Sequence, residues 1–385
     1  MPRTSPPAWY RNPAMLGRLA QGLAVGLVVL VLVLLLRNAA ANMGSRGLVI
    51  DPGFLWTTAP FNIGFSPFIN FVRGNGVYWQ VFVIGAGNTL LVAAAGIVSA
   101  TVLGTIIGVM RLSTNLLARR LASAYIETFR NLPLLLQVFF WHFIAILPLL
   151  PARKESWILG SAGLVNREGV FLSRISFATP GLAWLALVVA IAAIIVLLRW
   201  GRAPERTGRE IMTVAIVSFG VVAGLVWFAA PAFDPPRLER MGVAGGFWIP
   251  VSLLSLWWAL TVSTAAFIAE AVRAGIIAVP KGQREASKAL GLSRFQSLRL
   301  VEMPQALRII IPPTISQYLN LFKNSSLAVA VGYDDIVNIW MGATLNQTGQ
   351  AIIIIAVTMA FFTTVSLLTS FTMNAYNSRV AIKER

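Results

Sequence analysis

The sequence predicts an all-α polytopic membrane protein with about eight transmembrane helices and both termini in the cytoplasm, on three observations. The 385-residue chain is 57% hydrophobic and only 12% charged, whereas a soluble domain carries charge on about a quarter of its residues. Apolar runs of the length a bilayer-crossing helix needs, about 20 residues, recur along it. Its Lys and Arg residues fall between those runs and are shared unequally by alternate loops, the pattern that sets orientation in a membrane.

The first run, Leu19 to Leu36, follows a basic leader. It is longer than the roughly 7 to 15 residues of a signal-peptide core, and Arg37-Asn38 follows without a small-x-small cleavage site, so it reads as a retained span. Seven further runs are Phe82 to Met110, Leu121 to Leu150, Pro180 to Leu198, Ile211 to Ala230, Phe247 to Ala269, Ile309 to Val331 and Ala351 to Asn374. The third contains Glu127 and Arg130, and Lys323 interrupts the seventh. With the N-terminus inside, inside segments carry 20 of the 31 Lys and Arg and outside segments 8; Arg37, Arg130 and Lys323 lie at span edges or within spans. That asymmetry puts both termini in the cytoplasm.

Several classes of function are excluded by composition. The net charge of +17 is distributed as topology demands and not as a nucleic-acid surface. The chain contains no cysteine, which removes disulfides, thiolate metal sites and cysteine nucleophiles together. One histidine, His142, and scattered carboxylates make no metal or acid-base site, so no catalytic residue is assigned. His142 lies among Trp and Phe and reads as a packed neutral imidazole or interface anchor. No G-x-x-x-x-G-K-[ST] loop occurs, so nucleotide phosphates have no cradle here. Residues 38–79, rich in Gly, Pro and aromatics including Trp56, Phe61, Phe65, Phe68 and Phe71, read as a loop lying on the membrane interface.

The most informative stretch is the inside loop from Arg273 to Arg308. Pro280 opens a helical segment, Lys281 to Leu290, and Gly291 closes it as a C-terminal cap, a place for positive φ. A second short helix begins at Ser293, with Gln296 three residues on completing a capping box, and Pro304 marks the return to the membrane. Small residues Ala286, Ser287 and Ala289 on the first helix let another protein approach closely. An amphipathic pair lying on the lipid surface is the competing reading.

Glu285-Ala286-Ser287, three residues, Gly291, then Val301-Glu302-Met303-Pro304 resembles the EAA loop of binding-protein-dependent ABC importer permeases, with Ser287, Val301 and Met303 as conservative departures. The flanks resemble the polar amino acid subgroup: Glu270 to Ile276 with Pro280 to Gln283, Lys323-Asn324-Ser325-Ser326-Leu327, and Glu127 to Gln137. The additional span pair and the long N-terminal segment are similar to the Q-type permease subunit of general L-amino acid (Aap/Bzt) importers.

The resemblance implies a type I ABC importer permease fold. It divides the chain into residues 1–81 (tail, first span, outer loop), a transmembrane domain at 82–379 and a cytoplasmic tail at 380–385. Within the domain lie an inserted helix pair at about 151–246 and the coupling loop at about 273–308. It implies a multi-pass protein of the bacterial inner membrane, bathed in membrane lipid and translocating L-amino acids from periplasm to cytoplasm. Its partners would be a cytoplasmic ABC ATPase dimer, which would bind ATP and Mg, a second homologous permease and a periplasmic amino acid binding protein. The chain would bind no cofactor and no nucleic acid. ATPase coupling maps to Glu285, Ala286, Ser287, Gly291 and Pro304.

Charges inside a bilayer cost about 2.5 to 3.5 kcal/mol on insertion scales, so each needs a reason. Glu127 and Arg130, and likewise Glu270 and Arg273, have the i,i+3 spacing of structural ion pairs; Arg130 alternatively faces a substrate carboxylate. Lys323, Asn324, Ser325 and Ser326 form a polar cluster that marks a substrate path or a packing site. Tyr333, Asp334 and Asp335 fall outside, near where a binding protein docks or simply in solvent. The competing function is an ion-coupled secondary transporter, which would need paired polar sites in two related halves, and no internal repeat is evident.

Overall fold

A computed structural model describes residues 13–45, 50–200, 208–229, 231–240 and 242–380. Residues 1–12 and 381–385, which include most of both predicted tails, lie outside the described residues. The first span is α1 (Pro13–Ser45), apolar between Arg18 and Arg37 except for Gln21, and exposed along its described side chains. The second is α2 (Tyr78–Met110).

The third predicted run is not one straight helix. It divides into α3 (Leu116–Asn131) and α4 (Leu134–Phe139), the latter prolonged by a π-helical turn, Phe140–Ile146, and the two halves meet at 109°. Pro133 is the cause: it lacks an N–H and forces the preceding residue out of the α region, and Leu132 is extended at φ −87° and ψ 130°. Asn115 caps α3, its Oδ1 accepting from the N–H groups of Leu117 and Ala118.

The inserted region holds more than a helix pair. Strands β1 (Trp157–Ile158), β2 (Gly163–Asn166), β3 (Gly169–Leu172) and β4 (Arg174–Phe177) precede α5 (Pro180–Trp200) and α6 (Gly208–Phe228). β5 (Pro231–Asp234), β6 (Arg237–Glu239), β7 (Gly242–Ala244) and β8 (Phe247–Pro250) follow. β1, β2, β3 and β8 form one antiparallel sheet in that order, while β4 pairs with β5 and β6 with β7. The sheet corrects the sixth predicted run, whose first residues, Phe247 to Pro250, pair with β3. The helix α7 therefore starts only at Val251 and runs on to Ile277.

After α7 come α8 (Lys281–Ala289), α9 (Arg294–Ser297), a π turn at Leu298–Glu302 and α10 (Met303–Asn324), then a 3₁₀ stretch, Ser325–Val331. A second π-helical segment, Ile336–Thr344, leads through α11 (Leu345–Thr348) to α12 (Ala351–Val380). Among the described residues, four helices are long and apolar enough to cross a membrane, and five if the bent α3–α4 pair counts as one. α5 and α6 are 21 residues each, about 31 Å at 1.5 Å per residue and so matched to the hydrocarbon thickness.

The core is the α2–α7 contact. Lipid offers no hydrophobic force between helices, so small residues that admit close backbone approach, and interhelical hydrogen bonds, hold such pairs. A Cβ on Gly104 would stand 2.8 Å from the Ala265 carbonyl oxygen, and one on Gly108 2.7 Å from that of Ala269. Ser99 Oγ meets Thr261 Oγ1 at 2.7 Å, Trp257 Nε1 donates to Ser99 Oγ at 3.0 Å, and Tyr125 Oη donates to the Val262 carbonyl at 2.7 Å. His142 is buried, with Nδ1 2.7 Å from Ser255 Oγ.

The aromatic segment after α1 packs onto the bundle. Phe54, Phe65 and Phe71 are buried there, while Trp56 and Phe68 remain exposed. Phe65 packs edge-on against Phe247 and Trp248, which joins this segment to β8.

Candidate functional site

The loop between α7 and α10 has the local grammar its residues predict. Pro280 precedes α8 with φ −56°, and Gly291 adopts φ +74°, open to glycine without steric penalty. Ser293 Oγ accepts from Gln296 N–H, while Gln296 Oε1 accepts from Ser293 N–H, closing the capping box. Glu285 and Ala286 are exposed, as is Pro304 at the start of α10. Two large apolar side chains stand in the open beside them, Leu290 at 80% and Phe295 at 68% exposure.

Ser287 does not belong to the exposed face. It is 2% exposed, and its hydroxyl lies 2.6 Å from that of Ser297 on α9. The helical rotation explains this: one step past Ala286, the side chain turns to the seam between α8 and α9.

At the inner ends of the spans, Glu270 and Arg273 pair as their spacing predicts, with Nη2 to Oε1 at 2.5 Å, and Arg111 at the end of α2 approaches the other Glu270 oxygen at 2.5 Å. Glu127 and Arg130 do not pair. Glu127 lies 3.8 Å from Arg111 and is largely exposed, whereas the Arg130 guanidinium sits 5.4 Å from the Phe267 ring centre. The ring face offers the cation a partner across the α3–α7 contact, and the long Glu127 contact in water contributes little.

A polar cavity of about 230 Å³ lies between α7, α10 and the α3–α4 bend. Gln317, Asn320 and Asn324 line it from one face of α10, Ser263, Thr264 and Phe267 from α7, and Leu132 and Leu134 from either side of Pro133. A neighbouring space of about 280 Å³ shares Phe267 and Gln317 and is lined also by Arg130 and Glu270. Of the predicted polar cluster only Asn324 lines the first cavity. Lys323 is exposed elsewhere. Ser325 Oγ donates to the Phe322 carbonyl and Ser326 Oγ to the Lys323 carbonyl, both at 2.7 Å, so these hydroxyls serve the end of α10. Gln317 and Asn320 escaped the sequence reading. Their i, i+3, i+7 spacing with Asn324 was the available signal.

At the opposite end, Tyr333, Asp334 and Asp335 are withdrawn from solvent instead of facing it. Asp334 Oδ2 accepts from the N–H groups of Gly64 and Phe65 at 2.8 and 3.0 Å. Asn88, wholly buried on α2, donates to the carbonyls of Phe65 and Asp334 at 2.8 and 2.7 Å. Asp335 is 0% exposed, and its Oδ1 accepts from Asn338 N–H at 2.8 Å. Burial pushes its carboxyl up to about 7, against the opposing pull of the Asn338 and Val337 N–H groups. Burial also raises Asp334, countered by Phe65 and Gly64.

Residues 170–382 match the family described as "Binding-protein-dependent transport system inner membrane component". The chain is 43% identical over 383 residues to YhdX of Escherichia coli, named as an amino-acid ABC transporter permease, covering 98% of this chain and 97% of that one. It is 42% identical to the general L-amino acid transport system permease protein AapQ of Rhizobium johnstonii, over 90% and 88% of the two chains. With the glutamate/glutamine/aspartate/asparagine transport system permease protein BztB of Rhodobacter capsulatus it shares 37% over 95% of each. The chain is a membrane-embedded ABC transporter permease and belongs to the binding-protein-dependent transport system inner membrane component family.

Proposed function

We propose that this chain is one of two permease subunits of an ATP-binding-cassette importer that carries L-amino acids, chiefly polar ones, from periplasm to cytoplasm across the bacterial inner membrane. The carrying observation is the end-to-end similarity to permeases named for amino acid transport, one of them for glutamate, glutamine, aspartate and asparagine. The amide- and hydroxyl-lined cavity between α7 and α10 supports the polar cargo. Such groups both donate and accept, which suits a zwitterion with a polar side chain. Arg130, one space further inward, offers a guanidinium to a passing carboxylate.

ATP and Mg²⁺ are handled by a separate ATPase pair that receives Glu285, Ala286, Leu290 and Phe295. A homologous second permease completes the membrane unit, and a periplasmic binding protein delivers substrate to its outer end. Alternating access then moves the cavity's occupant inward. Reconstitution of the four-component complex in proteoliposomes tests this. Uptake of labelled polar amino acids should need ATP and the binding protein and stop with vanadate. Uptake by the chain alone, insensitive to vanadate and abolished by an ionophore, would instead establish an ion-coupled carrier.

A further inference from the structure

One charged side chain on α8 points away from the docking face. Arg284 Nη2 donates to the carbonyl of Ile276, in the last turn of α7, at 2.9 Å. Its Nε lies 2.8 Å from Glu302 Oε2, directly before α10, as an ion pair whose N–H is not aimed at that oxygen. One guanidinium thus touches the ends of both spans that wall the polar cavity. The Arg284 backbone is tied into the same knot: its carbonyl accepts from Ser287 Oγ at 2.8 Å, and Ser287 meets Ser297 at 2.6 Å. Ser297 Oγ in turn approaches Glu302 Oε1 at 3.4 Å.

The main chain between α8 and its neighbours is poorly suited to carrying a load. α8 connects to α7 through Ala278, Val279 and Pro280, and to α9 through Leu290, Gly291, Leu292 and Ser293. Rotation about a few such dihedrals absorbs a displacement, which is how hinges work. A guanidinium that donates to one span end and lies in ion-pair contact with the other shortcuts those joints, because its charge is spread over a plane broad enough to reach both, while an ammonium behaves as a single point charge. Its link to Ile276 also satisfies a carbonyl at a helix C-terminus, where a cation is favoured.

The geometry points to Arg284 as the positioning residue that transmits movement of α8 to α7 and α10, and hence to the cavity between them. This role rests on the docking of the loop onto an ATPase proposed above. Its signature is a change in coupling, separate from any change in assembly.

The test uses the complete transporter in proteoliposomes, with amino acid imported per ATP hydrolysed as the readout and ATPase co-purification as the control. R284Q should retain the ATPase and lower the import-to-hydrolysis ratio about five- to tenfold, within the range that coupling networks show. R284K, charged but unable to hold two partners, should lower it as well. R299Q, which removes an exposed cation from the same loop, should leave it at the wild-type value. An unchanged ratio in R284Q, an equal fall in R299Q, or loss of the ATPase from R284Q would each overturn the assignment. Failure of the wild-type chain to retain an ATPase would instead sink the docking itself.

Discussion

The two ends of the bundle are built on opposite principles. At the outer end the chain buries rings and carboxylates together: Phe65, Tyr333, Asn88 and Asp335 are all shielded, and Asp334 is bonded to a loop some 270 residues away in sequence. At the inner end α8 and α9 leave Leu290 and Phe295 in the open and join the spans through a few side chains. A buried polar group demands fixed partners, since leaving it unpaired costs about 1 to 3 kcal/mol. An exposed apolar pair demands a cover. The outer end is thus held by its own chain, while the inner end leaves apolar side chains uncovered.

That contrast can be broken or sharpened by substitution. At the outer end, a Cβ on Gly85 would stand 2.8 Å from the Ile336 Cα, so Gly85→Val should cost about 1 to 3 kcal/mol or more through overpacking. Thermal unfolding in detergent should register this, and an unshifted midpoint would deny that the α2 contact there is tight. At the inner end, Phe295→Ala should leave unfolding unchanged yet weaken ATPase binding by about 2 kcal/mol, as for an interface anchor. Equal affinity for wild type and variant would remove Phe295 from the contact.

Gly291→Val forces a β-branched residue into left-handed backbone, at a cost of about 1 to 2 kcal/mol. The chain should still insert, but ATP-driven uptake should be lost, and normal uptake at normal expression would refute the role of that turn. Asp335 gives the outer end a dependence on pH. Its folded-state carboxyl titrates near 7 while the unfolded one titrates near 4, so stability falls as pH rises between those values and levels off above. Asp335→Asn keeps the cap on Asn338 and should flatten this slope, which unfolding at pH 5 and pH 8 would reveal. The smallest effect belongs to Ser326→Ala. Its hydroxyl meets only a backbone carbonyl, so relative uptake of different amino acids should not change, whereas Asn324→Ala should alter it.

Much of the inner end was legible because its determinants are local. Pro280, Gly291, Ser293 and Gln296 act within three or four residues of themselves, and the structure places their turn, positive φ and capping box accordingly. Glu270 and Arg273 pair for the same reason. Glu127 and Arg130 have identical spacing but do not pair: Arg130 sits over the ring of Phe267, distant in sequence, and Glu127 stays largely exposed. Asp334 and Asp335 read as solvated since nothing adjacent shows that residues 64–65 fold over them. The short sheet was hidden too: Phe247 to Pro250 look like the start of a span until β3 supplies the backbone partners.

By itself, the sequence determined where the long apolar runs lie and how the loop after α7 turns at Pro280, Gly291 and Ser293. Each of these depends on transfer energy or dihedral preference summed over a short window. Tertiary structure alone decided that Gln317, Asn320 and Asn324 share a cavity with α7, and that Arg284 reaches both span ends. Those outcomes depend on which surfaces meet in space, and packing between segments far apart in the chain leaves no short-range signal in the residues that take part.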